Sequence, residues 1–141
     1  MGGGMARNLL DVGYPVSVCD LDAKKVATLV DRGAASSPSP RETVANNDVT
    51  LFSQPTSGTF ITVAEAEDGR LAGADDSKIV AATAYGGGDA DKGTLAAMVG
   101  GDDDPVERVL PILQAIGNNV VHLGPSGAGQ LRKAVNQIAM A

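Results

Sequence analysis

Residues 124–137 read Gly-Pro-Ser-Gly-Ala-Gly-Gln-Leu-Arg-Lys-Ala-Val-Asn-Gln, and they hold the side chains best placed to do chemistry. Lys133 follows Gly129 by four positions and precedes Asn136 by three. On a helix, Lys133 and Asn136 share a face with Gln130 and Gln137, while Leu131, Ala134, Val135 and Ile138 form an apolar stripe. A lysine beside a carboxamide can move a proton to or from a substrate oxygen and hold that oxygen by hydrogen bonding. The glycines ahead of them permit close approach of backbone or ligand. The same spacing also describes a solvated lysine on an ordinary amphipathic helix.

The elements that must position this helix alternate between strand and helix. Glycines open a first helix whose apolar positions are Met5, Leu9 and Val12, stopping near Gly13. Val16–Cys19 reads as a short strand, followed by Asp20 and by Asp22 as cap of a second helix that ends at Gly33. Ser39-Pro40-Arg41-Glu42 has the pattern of a capping box and starts a helix running to about Asn46. Val49–Ser53 is a strand closed by Gln54-Pro55, with a helix containing Phe60, Ile61 and Ala64 after it. Ile79–Thr83 and Thr94–Val99 are further strands. A helix opens at Asp104-Pro105 and carries Val106, Val109, Leu110 and Leu113. Val120–His122 is the last strand, and the lysine-bearing helix starts near Ser126. This alternation predicts an α/β fold with a doubly wound, mostly parallel sheet, the usual setting for a dinucleotide.

In such a fold the pyrophosphate sits on a helix N-terminus, where backbone N–H groups and the helix dipole favour negative charge. Gly2, Gly3 and Gly4 open the first helix, and Asp20 lies 18 residues beyond Gly2 at the end of the second strand of the pattern. A carboxylate there can hold ribose hydroxyls and repel a 2′-phosphate, which favours NAD over NADP. Asp20 can equally be a helix-start residue, and the three glycines a simple cap.

These segments, in this order, resemble the β-hydroxyacid dehydrogenases of the 3-hydroxyisobutyrate and tartronate semialdehyde type. The resemblance rests on Gly127-x-Gly129-x-x-x-Lys133-x-x-Asn136-Gln137, on Met1-Gly2-Gly3-Gly4-Met5-Ala6-Arg7-Asn8-Leu9-Leu10, and on Gly93-Thr94-Leu95 with Met98-Val99-Gly100-Gly101. It implies an oxidoreductase transferring hydride between a 3-hydroxyacid and NAD, with Lys133 as general acid/base and Asn136 orienting the substrate. Gly86 and Gly87 would contact the substrate carboxylate, and Gly2, Asp20 and Pro55 the cofactor. Asn136-Gln137 matches the hydroxyacid branch rather than the phosphogluconate branch, and Lys133 argues against the imine reductases. Residues 1–124 would be a partial dinucleotide-binding domain and residues 125–141 the start of the interdomain catalytic helix, with the family's C-terminal all-helical domain expected to be absent.

Departures from the family pattern carry their own expectations. The first two glycines of Gly-x-Gly-x-x-Gly and the first strand are absent, so the Rossmann-like sheet is incomplete. Ala81–Gly87 joins two strands too directly for a parallel crossover, which needs a dozen or more residues, so one crossover is missing as well. Unpaired sheet edges follow, and these invite a homo-oligomer or pairing with another chain. Weak or absent turnover is therefore expected, with a non-catalytic dinucleotide-binding module or a non-functional gene fragment as alternatives.

Composition narrows the remaining classes. A formal charge of −6 argues against nucleic acid or an anionic membrane as partner. No apolar run approaches the ~20 residues of a membrane span. The single cysteine, Cys19, suits a reducing compartment, so a cytoplasmic location is expected. Asp102-Asp103-Asp104 reads as a solvated turn favouring the following helix dipole, and no metal site is expected. His122, the only histidine, reads as a packing or hydrogen-bonding residue.

Overall fold

The computed structural model describes residues 1–54, 56–83 and 87–139, and Lys133 and Asn136 are described by their backbone. The elements in chain order are α1 (Gly2–Asp11), β1 (Ser17–Val18), α2 (Ala23–Val30), β2 (Ala35–Ser36), α3 (Pro40–Ala45), β3 (Val49–Ser53), α4 (Ser57–Glu65), a short 3-10 helix (Arg70–Gly73), β4 (Ile79–Thr83), α5 (Gly87–Lys92), β5 (Leu95–Val99), α6 (Asp103–Ile116), β6 (Gly117–His122) and α7 (Ala128–Ala139).

Local chemistry accounts for several of these boundaries. Asp22 accepts from the Lys24 N–H at 3.0 Å and starts α2. Ser39 accepts from the Glu42 N–H at 3.2 Å, and Pro40 occupies the first turn of α3, where its missing N–H costs nothing. Thr56 caps α4 through the Thr59 N–H. Gly13, at φ +90°, turns the chain back after α1 into β1, a conformation that a side chain resists.

The strands form three separate parallel pairs: β1 with β2, β3 with β4, and β5 with β6. β3 and β4 pair in register from Val49–Ile79 to Ser53–Thr83. No ladder joins β1 to β3, or β4 to β5, among the described residues. The interruptions fall at the two places where the sequence lacks a strand and a crossover, so the Rossmann-like sheet is incomplete. β6 begins at Gly117 rather than at Val120, because Gly117 pairs with Leu95 ahead of a register shift between Leu95 and Ala96. A side chain at Gly117 would run into the Leu95 backbone, so only glycine admits this pairing.

The main core lies between α1, α5, β5 and α6, built from Met5, Leu9, Ala90, Leu95, Val109, Leu113 and Ile116. Val49, Leu51 and Ile79 pack against it from β3 and β4. A second cluster of Ala6, Leu29 and Ala34 joins α1 to α2, with Val16 and Val18 packed against it. These are small aliphatic contacts, as 3% aromatic content requires. Leu131 and Val135 of α7 remain 69% and 54% exposed, so these two members of the apolar stripe are not covered by the described residues.

Candidate nucleotide and catalytic-helix sites

At the start of α1 the helix is uncapped by any side chain and has no acidic residue in its first turn. Gly2 and Gly3 add no side chain of their own there, and the Arg7 guanidinium lies 3.6 Å from where a methyl on Gly3 would sit. A methyl placed on Gly2 would lie 3.5 Å from the Ser53 Cβ, so the α1 N-terminus abuts the C-terminal end of β3. Ser53 pairs with Thr83, which brings the end of β4 to the same edge. A nucleotide's pyrophosphate suits this location: free N–H donors, a positive dipole end, and glycines that a ligand can approach.

Asp20 follows β1 directly and is exposed. Gly13 turns the chain into β1, and Val16 and Val18 there pack against the Ala6, Leu29 and Ala34 cluster that joins α1 to α2. The Asp20 Oδ1 accepts from the Asp22 N–H at 2.8 Å, which holds the carboxylate in the turn ahead of α2. The turn role and the ribose role do not compete, since a carboxylate has several acceptor positions. A glycine helix start offering N–H donors and a strand-end carboxylate offering acceptors are the group types a dinucleotide's pyrophosphate and ribose require.

Gly4 does different work. A methyl there would meet the Ala90 carbonyl carbon at 2.8 Å and the Asp91 nitrogen at 2.9 Å, so α1 packs backbone to backbone on α5. Asn8 Nδ2 donates to the Ala90 carbonyl at 2.7 Å, and Arg7 pairs with Asp91 across the same contact. Sequence reasoning placed no helix at Gly87–Lys92. This short segment has no apolar periodicity, and α1 supplies the groups that hold it.

Lys133 and Asn136 fall within α7, three positions apart as the sequence requires. The start of α7 is seated on the end of β5 by glycines. A methyl on Gly100 would lie 2.8 Å from the Pro125 carbonyl oxygen and 2.9 Å from the Gly129 nitrogen. One on Gly129 would fall on the Met98 carbonyl. Gly100 and Gly129 are positioning residues that side-chain chemistry alone does not reveal. Gly87 opens α5. Pro55 and Gly86 lie outside the described residues. Among the described residues no cluster of three or more His, Cys, Asp or Glu could hold a metal ion. No described helix is long and apolar enough to cross a membrane.

A shallow cavity of about 250 Å³ lies over β5 and β6, lined by Ala96, Met98, Asn119, Val121, Leu123 and Arg132 among others. It lies beside α7 and includes neither Gly2 nor Asp20.

Comparison with known proteins matches this picture. The family model described as the NAD binding domain of 6-phosphogluconate dehydrogenase matches in two pieces, residues 1–85 and 84–124. The break at Ala84-Tyr85 falls between β4 and β5, where the sheet is interrupted. The NAD-dependent L-serine dehydrogenase of Pseudomonas aeruginosa is 33% identical, over all of this chain and 56% of its own length. The 3-hydroxyisobutyrate dehydrogenase of the same organism is 32% identical over 99% of this chain and 56% of its own. The first of these alignments spans 168 positions against the chain's 141 residues, so that relative carries residues within the matched span that this chain lacks. Among solved structures, Mycobacterium tuberculosis 3-hydroxyisobutyrate dehydrogenase with L-serine superposes at a TM-score of 0.86 with 25% identity, over 99% of this chain and 56% of that one. The chain thus spans about half the length of the relatives it matches. Fold, family model and relatives agree that the chain belongs to the β-hydroxyacid dehydrogenase family and carries its NAD(P)-binding domain.

Proposed function

We propose that this chain binds NAD through Gly2 and Asp20 and belongs to an NAD-dependent dehydrogenase acting on a 3-hydroxyacid of the 3-hydroxyisobutyrate kind. The observation that carries the reading is the uncapped glycine N-terminus of α1 set against the end of β3, with an exposed carboxylate closing β1. The nicotinamide supplies the hydride chemistry when bound. The chain's residues bind, orient and move a proton. Asp20 holds the ribose hydroxyls, Pro55 lies at the cofactor, Gly86 and Gly87 meet the substrate carboxylate, Asn136 orients the substrate, and Lys133 protonates or deprotonates its reacting oxygen. Residues 1–124 are then the nucleotide-binding part and residues 125–141 the start of the catalytic helix. With its sheet interrupted twice, this chain turns over weakly or not at all. The single cysteine fits work in the reducing cytoplasm.

Calorimetry with NAD+ and NADP+ tests this. NAD+ should bind more tightly, and Asp20→Ala should weaken it roughly tenfold or more, since a hydrogen bond to a charged group is worth about 1.5–3 kcal/mol. Tighter NADP+ binding, or no nucleotide binding, would remove the assignment. Robust Lys133-dependent oxidation of L-serine or 3-hydroxyisobutyrate would show that the interrupted sheet still supports turnover.

The three separate strand pairs favour a second reading: a non-catalytic dinucleotide-binding module that pairs with another chain through its open edges. Asp20-dependent NAD+ affinity without turnover, together with self-association on sedimentation, would support it.

A further inference from the structure

The loop between β6 and α7 is tied to the turn after β5. The Leu123 N–H donates to the Val99 carbonyl at 2.9 Å, and the Gly101 N–H to the Gly124 carbonyl at 3.0 Å. Among the described residues the His122 side chain joins this backbone network. His122 Nε2 lies 2.9 Å from the Gly101 carbonyl oxygen and 3.1 Å from that of Gly124. Both partners are acceptors only, so Nε2 must carry a hydrogen. The other ring nitrogen, Nδ1, lies 3.6 Å from Asp103 Oδ1 in the first turn of α6 and forms an ion pair there whenever the ring is protonated. Nε2 is a donor in either ring state.

The geometry points to His122 as a positioning residue, a clasp whose Nε2–H holds the β5–α6 turn to the loop that launches α7. Gly124, at φ +114°, and Gly127, at φ +92°, shape that loop, and neither conformation suits a side chain. Four residues after Gly124 the helix begins, and within its first turn it meets the glycine seat at Gly100. Releasing the clasp lets the loop and the start of α7 move together. The consequence for catalysis rests on the reading of α7 as the lysine-bearing catalytic helix; the clasp itself does not, and it is measured without turnover.

The test uses the full chain labelled with ¹⁵N. The His122 ring spectrum should show hydrogen on Nε2. Amide exchange should quicken about tenfold at Gly101, and at Leu131, whose N–H bonds the Gly127 carbonyl, in His122→Phe. His122→Gln keeps an N–H donor and should stay within about threefold of the parent. Amides of the β3–β4 pair should be unchanged in both. A ring without hydrogen on Nε2 overturns the clasp, even if the phenylalanine variant fails to fold. So does unchanged exchange at Gly101, or quickening spread equally through β3 and β4. Absence of NAD+ binding would remove the proposed function and leave these exchange results standing.

Discussion

Gly100→Ala should loosen the seat of α7. The added methyl would lie 2.8 Å from the Pro125 oxygen, 2.9 Å from the Gly129 nitrogen and 3.0 Å from the Ala128 nitrogen. Relaxed contacts of a carbon atom fall near 3.5–4.0 Å, so the first turn of α7 must retreat by about half an ångström or more. All three atoms are backbone, so no flexible side chain can absorb the strain. Overpacking of this kind costs about 1–3 kcal/mol. The lower entropy of an unfolded chain with alanine returns about 0.4–1 kcal/mol. The net expectation is a loss of about 1–2 kcal/mol, read in urea as a midpoint lowered by about 0.5–1 M at unchanged slope. Gly58→Ala is the matched control. Among the described residues its methyl meets only the Thr56 Oγ1, at 3.8 Å, in the first turn of α4, so it should be neutral to stabilising by at most about 0.5 kcal/mol. Equal midpoints for Gly100→Ala and the parent, or equal losses in both variants, would refute the seat. If Lys133 acts as proposed, a shift of α7 approaching an ångström should also lower any measured turnover by about a hundredfold.

Two further outcomes can be checked. Thr50 is 6% exposed, and its Oγ1 is buried without a hydrogen-bond partner among the described residues. Thr50→Val keeps the shape and removes the stranded hydroxyl, so thermal or urea unfolding should show a gain of about 1 kcal/mol, and a loss would mean that the hydroxyl has found a partner. Partial desolvation pushes the Cys19 thiol above its ordinary range, opposed by a hydrogen bond with Thr43 and reinforced weakly by the Asp20 carboxylate. A raised thiol carries less thiolate at a given pH, so alkylation by iodoacetamide in mildly alkaline buffer should run slower than that of free cysteine. Asp20→Asn should quicken it, and an unmodified chain that reacts as fast as the free amino acid would contradict the shift.

What the sequence determined by itself is whatever a few neighbouring residues decide. Asp22 and Ser39 satisfy helix N–H groups two or three positions away, so α2 and α3 start where local capping places them. Val49–Ser53 and Ile79–Thr83 are apolar runs bounded by polar or turn residues, and both strands occupy those spans. The lysine–asparagine spacing and the order of the glycine motifs led to the family, and their departures from its pattern located the breaks in the sheet.

Tertiary structure decided the rest. α5 exists because Gly4, Arg7 and Asn8 of a distant helix hold Gly87–Lys92. β2 has two residues and is a strand only because β1 lies beside it. β6 extends back to Gly117 because Leu95 is opposite. Gly100, Gly129 and His122 act on partners that adjoin them only after the chain has folded. A residue's own conformational preference can be read from its neighbours in sequence, whereas close approach and ladder pairing depend on backbone brought from elsewhere, and no local pattern records which backbone that will be.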